Sequence, residues 1–131
     1  MKLYLLFAAI LCLMLYAFDT EAACKPPKSM VCQLPPTTVQ QEVRRTLNRN
    51  GMGWAWSTFS RIAYCESRWN KNATNGQYKG IFQIGDYYWG WIWRKYGWQW
   101  NDATHNTLAA IIVYKDALKL WGNGFLAWSC Y

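Results

Sequence analysis

Between Arg61 and Ile84 the chain reads RIAYCESRWNKNATNGQYKGIFQI, and this stretch holds the residues best suited to chemistry. One glutamate, Glu66, sits among Tyr64, Trp69 and Phe82 and is followed by a polar Asn/Gly-rich turn and a short run carrying Gln83. Aromatic and apolar neighbours solvate a carboxylate poorly, so such a group keeps its proton to higher pH. A carboxylic acid still protonated near neutrality can act as a general acid on a leaving oxygen.

The elements that must position this acid can be read from periodicity. Val39, Val43 and Leu47 recur every fourth residue, Thr38 and Gln41 fit a capping box, and Asn50-Gly51 supplies a stop, predicting an amphipathic helix with Arg44, Arg45 and Arg49 on its solvated face. A second helix, capped by Ser57, is expected to turn Phe59, Ile62, Ala63 and Cys65 inward and to carry Glu66 in its last turn. Tyr78, Gly80, Phe82 and Ile84 alternate with Lys79, Ile81 and Gln83, which predicts a small β element beside the acid. Asp86 is read as the cap of a third helix, DYYWGWIWRKYG, that is apolar nearly all round and either fills a core or lines a groove. Asp102 or Thr104 starts the clearest helix, with Leu108, Ile111, Ile112, Leu118 and Trp121 inward and Gly122 to Gly124 as its end.

Ahead of these elements, Lys2 precedes an unbroken apolar run from Leu3 to Phe18, and small residues follow at Ala22 and Ala23. That pattern predicts a secretory signal peptide over residues 1–23, an irregular Pro-rich leader over 24–36 and a single domain over 37–131. The run is short for a spanning helix, so an extracellular protein without stable membrane insertion is expected. Removing Lys2, Asp19 and Glu21 from 14 basic and seven acidic residues leaves 13 and five, a net charge of +8. Removing Cys12 as well leaves Cys24, Cys32, Cys65 and Cys130 of the five cysteines. Four cysteines allow three disulfide pairings; nearness in sequence favours Cys24–Cys32, which leaves Cys65–Cys130 to tie the acid's helix to the C-terminus. No close cysteine pairs of the zinc-finger kind occur and His105 is the sole histidine, so neither a metal nor another cofactor is expected.

Read together, CES, W-N-x-N-A, N-G-x-Y-x-G-I-F-Q-I, a Trp/Gly-rich helix, N-D-A-x-x-N-x-x-A-A and a terminal G-x-x-A-W-S-C resemble the lysozyme-like domain of soluble lytic transglycosylases. The short secreted forms and the resuscitation-promoting factors are the most similar branches, and the resemblance covers residues 54–131. It implies a mainly α-helical (α+β) lysozyme-like fold, with its small β element beside a groove for peptidoglycan glycan strands. It makes Glu66 the catalytic acid/base and places Ser67, Tyr78, Phe82, Gln83 and Tyr114 in the substrate cleft.

Most glycosidases use two carboxylates across the scissile bond. Besides Glu66, residues 24–131 hold only Glu42, Asp86, Asp102 and Asp116 as acids; Glu42 and Asp116 fall on exposed predicted faces, and Asp86 and Asp102 read as caps. Lytic transglycosylases manage with one glutamate, the substrate's own N-acetyl group stabilising the cation. The expected function is therefore secreted muralytic cleavage between N-acetylmuramic acid and N-acetylglucosamine. Hydrolysis becomes the alternative if Asp86 reaches the cleft, and chitin shares the N-acetyl group.

The positive charge suits a polyanionic bacterial wall, whereas secretion and disulfides argue against a nucleic-acid partner. A non-catalytic wall-binding module and a cationic membrane-active protein stay open as other classes. The membrane reading needs exposed tryptophans, and the helical spacing of the later apolar residues predicts burial instead. Asn72-Ala73-Thr74 is a glycosylation sequon six residues beyond Glu66. Nothing in the sequence calls for more than a monomer.

Overall fold

The computed structural model describes residues 37–131; the predicted signal peptide, the leader and the Cys24–Cys32 pairing lie outside the described residues. Helix α1 (Val39–Arg49) opens on the expected capping box: the Gln41 backbone N–H donates to Thr38 Oγ1 at 3.2 Å and the Thr38 N–H donates to Gln41 Oε1 at 2.9 Å. Its buried residues are Val43, Thr46 and Leu47.

A 3₁₀ turn at Gly53–Ala55 leads directly into α2 (Trp56–Ser67). Ala55 holds the N-cap position without a side-chain hydrogen bond, so Ser57 lies inside the helix and caps nothing. The chain already enters α2 helically from the preceding turn, which leaves no extended cap residue for a serine to fill. Phe59, Ile62 and Ala63 are buried as expected, whereas Cys65 faces outward.

The outward cysteine still meets its predicted partner: Cys65 and Cys130 form a disulfide across 65 residues of sequence. Loop closure of that length limits the unfolded chain by up to about 4 kcal/mol. Cys65→Ser with Cys130→Ser is expected to lower the denaturation midpoint by an equivalent amount, and adding reductant to the parent should reproduce the change; equal midpoints would show that the bridge adds no stability.

The β element is a three-stranded antiparallel sheet of very short strands, β1 (Thr74–Asn75), β2 (Tyr78–Lys79) and β3 (Ile84–Gly85), in sequential order. The register pairs Asn75 with Tyr78 and Tyr78 with Gly85. Strand alternation does not run through residues 78–84, because Gly80 (φ 76°) and Gln83 (φ 48°) are left-handed and fold the middle of the run into a turn. Ile81 and Phe82 consequently both point into the core.

The predicted third helix is two short ones, α3 (Asp86–Trp89) and α4 (Trp91–Tyr96), parted at Gly90. A methyl group on Gly90 would press against the Asp86 carbonyl at 2.5 Å, so the break needs glycine. Gly85, not Asp86, is the cap residue of α3. The Asp86 carboxylate is instead ion-paired with Lys79 and accepts from Trp93 Nε1 at 3.1 Å.

Helix α5 (Ala103–Trp121) begins at Asp102, whose side chain accepts from the His105 N–H, and ends at the left-handed Gly122. It packs against α1 and against a C-terminal 3₁₀ turn, Gly124–Ala127. Its buried face is the expected one only in part: Ile111 is inside and Ile112 packs against the core, Asn106, Thr107, Ala110, Val113, Tyr114 and Ala117 are buried as well, and Leu118 and Trp121 are exposed. Close helix packing selects small residues, so bulk and hydrophobicity did not mark the contact face. Trp128 closes the core against Phe59 and Phe82.

Candidate active site

Glu66 follows Phe59, Ile62 and Ala63 at seven, four and three residues, the spacing that places side chains on one face of a helix. That face is buried through Ala63, and Glu66 emerges half-buried where the core ends. Burial raises its pKa above 4.5, because desolvation disfavours the carboxylate. No described residue forms an ion pair with it. An acid so placed holds its proton to higher pH than a solvated glutamate does.

The backbone around Glu66 is held in an uncommon shape. Helix α2 ends with Arg68 and Trp69 both left-handed, at φ 53° and 65°. Their N–H groups donate to the Tyr64 and Ala63 carbonyls, which satisfies the end of the helix. Trp69 then packs near Trp56, with ring centres 5.9 Å apart, and the Arg44 guanidinium lies 5.5 Å from the Trp56 ring. Among the described residues the non-glycine positions with positive φ are Arg68, Trp69 and Gln83. Each costs about 1–2 kcal/mol, and such strain clusters where a site must be shaped.

Gln83 ties the two sides of this region together. Its Nε2 donates to the Gly80 carbonyl at 2.8 Å and to the Ala73 carbonyl at 3.2 Å, joining the turn after Glu66 to the β element. Ser67, next to Glu66, spends its hydroxyl on the Ala63 carbonyl one turn back, at 3.1 Å. Tyr78 is exposed on β2 and Asn72 is exposed in the turn.

Two predicted cleft residues belong to the interior. Phe82 is fully buried, its ring against Phe59 and Trp128, because the left-handed turn directs it inward; it presents no side-chain surface to a substrate. Tyr114 is buried on α5, packed on Phe59 and Phe125 with Gly124 seated against its ring. Asp86 has both carboxylate oxygens engaged, one by Lys79 and the other by Trp93.

Two residues that shape the site carry no role in the sequence reading. Asn106, fully buried on α5, accepts from the Phe82 N–H at 3.0 Å and donates to the Trp100 and Lys79 carbonyls at 2.9 and 3.2 Å. Trp128 donates from Nε1 to the Phe82 carbonyl at 2.8 Å. Together they hold both backbone polar groups of Phe82, the residue before Gln83. Asn106 lies off the face that the sequence pattern turns inward, so periodicity gave no signal for it.

A cleft of about 850 Å³ lies beyond β2 and β3, lined by Tyr78, Tyr87, Tyr88, Trp91 and Trp121 among others. Of the predicted site residues it contains Tyr78, and Glu66 does not line it. Among the described residues, no three His, Cys, Asp or Glu side chains converge as a metal site would require. Comparison of the chain with family models, with curated proteins and with solved structures returns no match.

Proposed function

We propose that this protein is a secreted muralytic enzyme with a lysozyme-like fold. It would cleave the β-1,4 bond between N-acetylmuramic acid and N-acetylglucosamine of peptidoglycan, with Glu66 as the single acid/base, as a lytic transglycosylase does. The observation that carries this reading is the half-buried glutamate at the end of the core-facing stripe of α2, its pKa raised by burial. The left-handed Arg68 and Trp69 that follow it and the Gln83 amide bridge support it as a shaped site. Engagement of Asp86 by Lys79 and Trp93 favours one carboxylate over two.

In this mechanism Glu66 gives its proton to the glycosidic oxygen as the C1–O bond breaks, and the substrate's N-acetyl carbonyl oxygen bonds to C1. The Glu66 carboxylate then takes the proton from the sugar's 6-hydroxyl, whose oxygen displaces the acetyl oxygen and closes a 1,6-anhydro ring. Proton balance is restored without water. The raised pKa suits the first step, and the ionised form it leaves behind suits the second.

Mass spectrometry of peptidoglycan after incubation with the protein tests this, with Glu66→Gln as control. Anhydro-ended fragments made by the parent and absent with the variant are expected. Reducing ends would mean hydrolysis and return Asp86 to consideration; no fragments from several wall types would overturn the enzyme reading.

A further inference from the structure

The end of α5 and the segments facing it across the aromatic cleft expose large apolar side chains that the domain leaves uncovered. Leu120 and Trp121 are 69% and 52% exposed, Leu126 is 49% exposed, and Tyr87 on the opposite side is 80% exposed. All four line one cleft, so this is a contiguous surface rather than scattered residues. One cation stands beside a lining residue, the Lys95 ammonium lying 5.4 Å from the Trp91 ring and 5.3 Å from that of Tyr96. Lys115 and Lys119 are exposed on α5 next in sequence to the lining residues Asp116 and Leu120, and Asp116 is the one acid of the lining.

We propose that this face is a docking surface for an anionic lipid bilayer, used without insertion of any helix. Tryptophan and tyrosine favour the headgroup region, where one edge of the ring is wet and the other dry, and leucine favours the acyl boundary just beneath. Lysines beside them complement phosphate headgroups. No helix among the described residues is long and apolar enough to cross a membrane, which matches contact at the interface alone. Charge favours this occupant over a second copy of the chain, since Lys95, Lys115 and Lys119 outnumber the lining acid Asp116 and self-association would bring those lysines together. The leucines select it over a glycan, because they offer no partner to sugar hydroxyls.

The sequence argument against membrane contact relied on buried tryptophans, and at this surface Trp91 and Trp121 are exceptions to it. The surface also gives a wall-cleaving enzyme a second target beneath the wall. The inference does not depend on Glu66, and the assay below contains no peptidoglycan.

Vesicles of phosphatidylglycerol with brominated acyl chains, mixed with the full chain, provide the test through quenching of tryptophan fluorescence. All ten tryptophans lie at or after Trp54, so the signal reports this domain and not the apolar run Leu3–Phe18. Quenching is expected on anionic vesicles, weaker on neutral phosphatidylcholine and weakened by salt. Leu120→Gln with Leu126→Gln should reduce the affinity about tenfold or more, from lost apolar burial. Both side chains are exposed, so the variant folds, which circular dichroism would verify. Binding that ignores the leucine changes would overturn the proposal in favour of general basic attraction. So would an absence of quenching, whether accompanied by leucine-dependent self-association or by protection of tryptophan on soluble glycan fragments.

Discussion

Glu66→Gln is expected to release anhydro-ended fragments at roughly one hundredth to one ten-thousandth of the parent rate, the usual contribution of a positioned acid/base. It is also expected to melt at a higher temperature than the parent at neutral pH. Both follow from one placement: a carboxyl at the edge of the core, where water cannot fully solvate its charge. The native state holds the Glu66 proton more tightly than the unfolded chain does, so its pKa lies above 4.5 when folded. Below 4.5 both states are protonated and burial of the charge costs nothing.

As pH rises through the window between that value and the raised native one, the unfolded chain ionises freely and the folded one does so at a penalty. Stability of the parent therefore falls across this window and stays lower above it. Glutamine has no proton to lose, so the variant's melting temperature should gain on the parent's over the same range and equal it at lower pH. Thermal melts of both proteins between about pH 4 and pH 8 would check this. Parallel curves would mean that Glu66 is as well solvated as a surface acid, and the case for it as a general acid would fail with them.

The largest effect on stability is expected at Asn106. Its side chain holds the Phe82 N–H and the Lys79 and Trp100 carbonyls in one fully buried junction between α5, the β element and the loop before α5. Leucine is close in size but leaves the Phe82 N–H and the Trp100 carbonyl without a partner, the Lys79 carbonyl lying within the β2–β3 pairing. An orphaned buried polar group costs about 1–3 kcal/mol, so Asn106→Leu should lose roughly 2–6 kcal/mol, a large part of what a domain of this size has.

Gly80 adds to the constraint: a methyl group there would overlap the Asn106 amide and the Trp100 carbonyl, in a backbone at φ 76° that disfavours any side chain. Denaturant unfolding checks the magnitude. Hydrogen exchange at the Phe82 amide checks the cause, since it should become the fastest-exchanging buried amide of the β element. A loss under about 1 kcal/mol would show that the junction relaxes or admits water, and that Asn106 does not hold the turn in place.

Much of this protein was legible because it is local. The α1 capping box, the stop at Asn50-Gly51, the position of Glu66 in the last turn of α2 and the start of α5 at Asp102 all depend on residues within four positions of one another. The Cys65–Cys130 bridge was legible for a different reason: four cysteines lie beyond the predicted signal peptide and few pairings exist.

What the sequence could not convey is decided by contacts between distant segments. The stretch from Tyr78 to Ile84 alternates like a strand, yet Asn106, 24 residues beyond Phe82, and Trp128, 46 residues beyond it, capture the Phe82 backbone. The chain then pays the strain of left-handed residues, and Phe82 leaves the predicted cleft for the core. Periodicity also placed the face of α5 only in part, with Ile111 inside as expected, because its neighbours approach over alanines and leave Leu118 and Trp121 at the surface. Sequence by itself thus placed Glu66 in the last turn of its helix. Only tertiary packing decided how dry that acid is, which aromatics are core and which apolar face stays open, because burial is a property of neighbours and not of spacing along the chain.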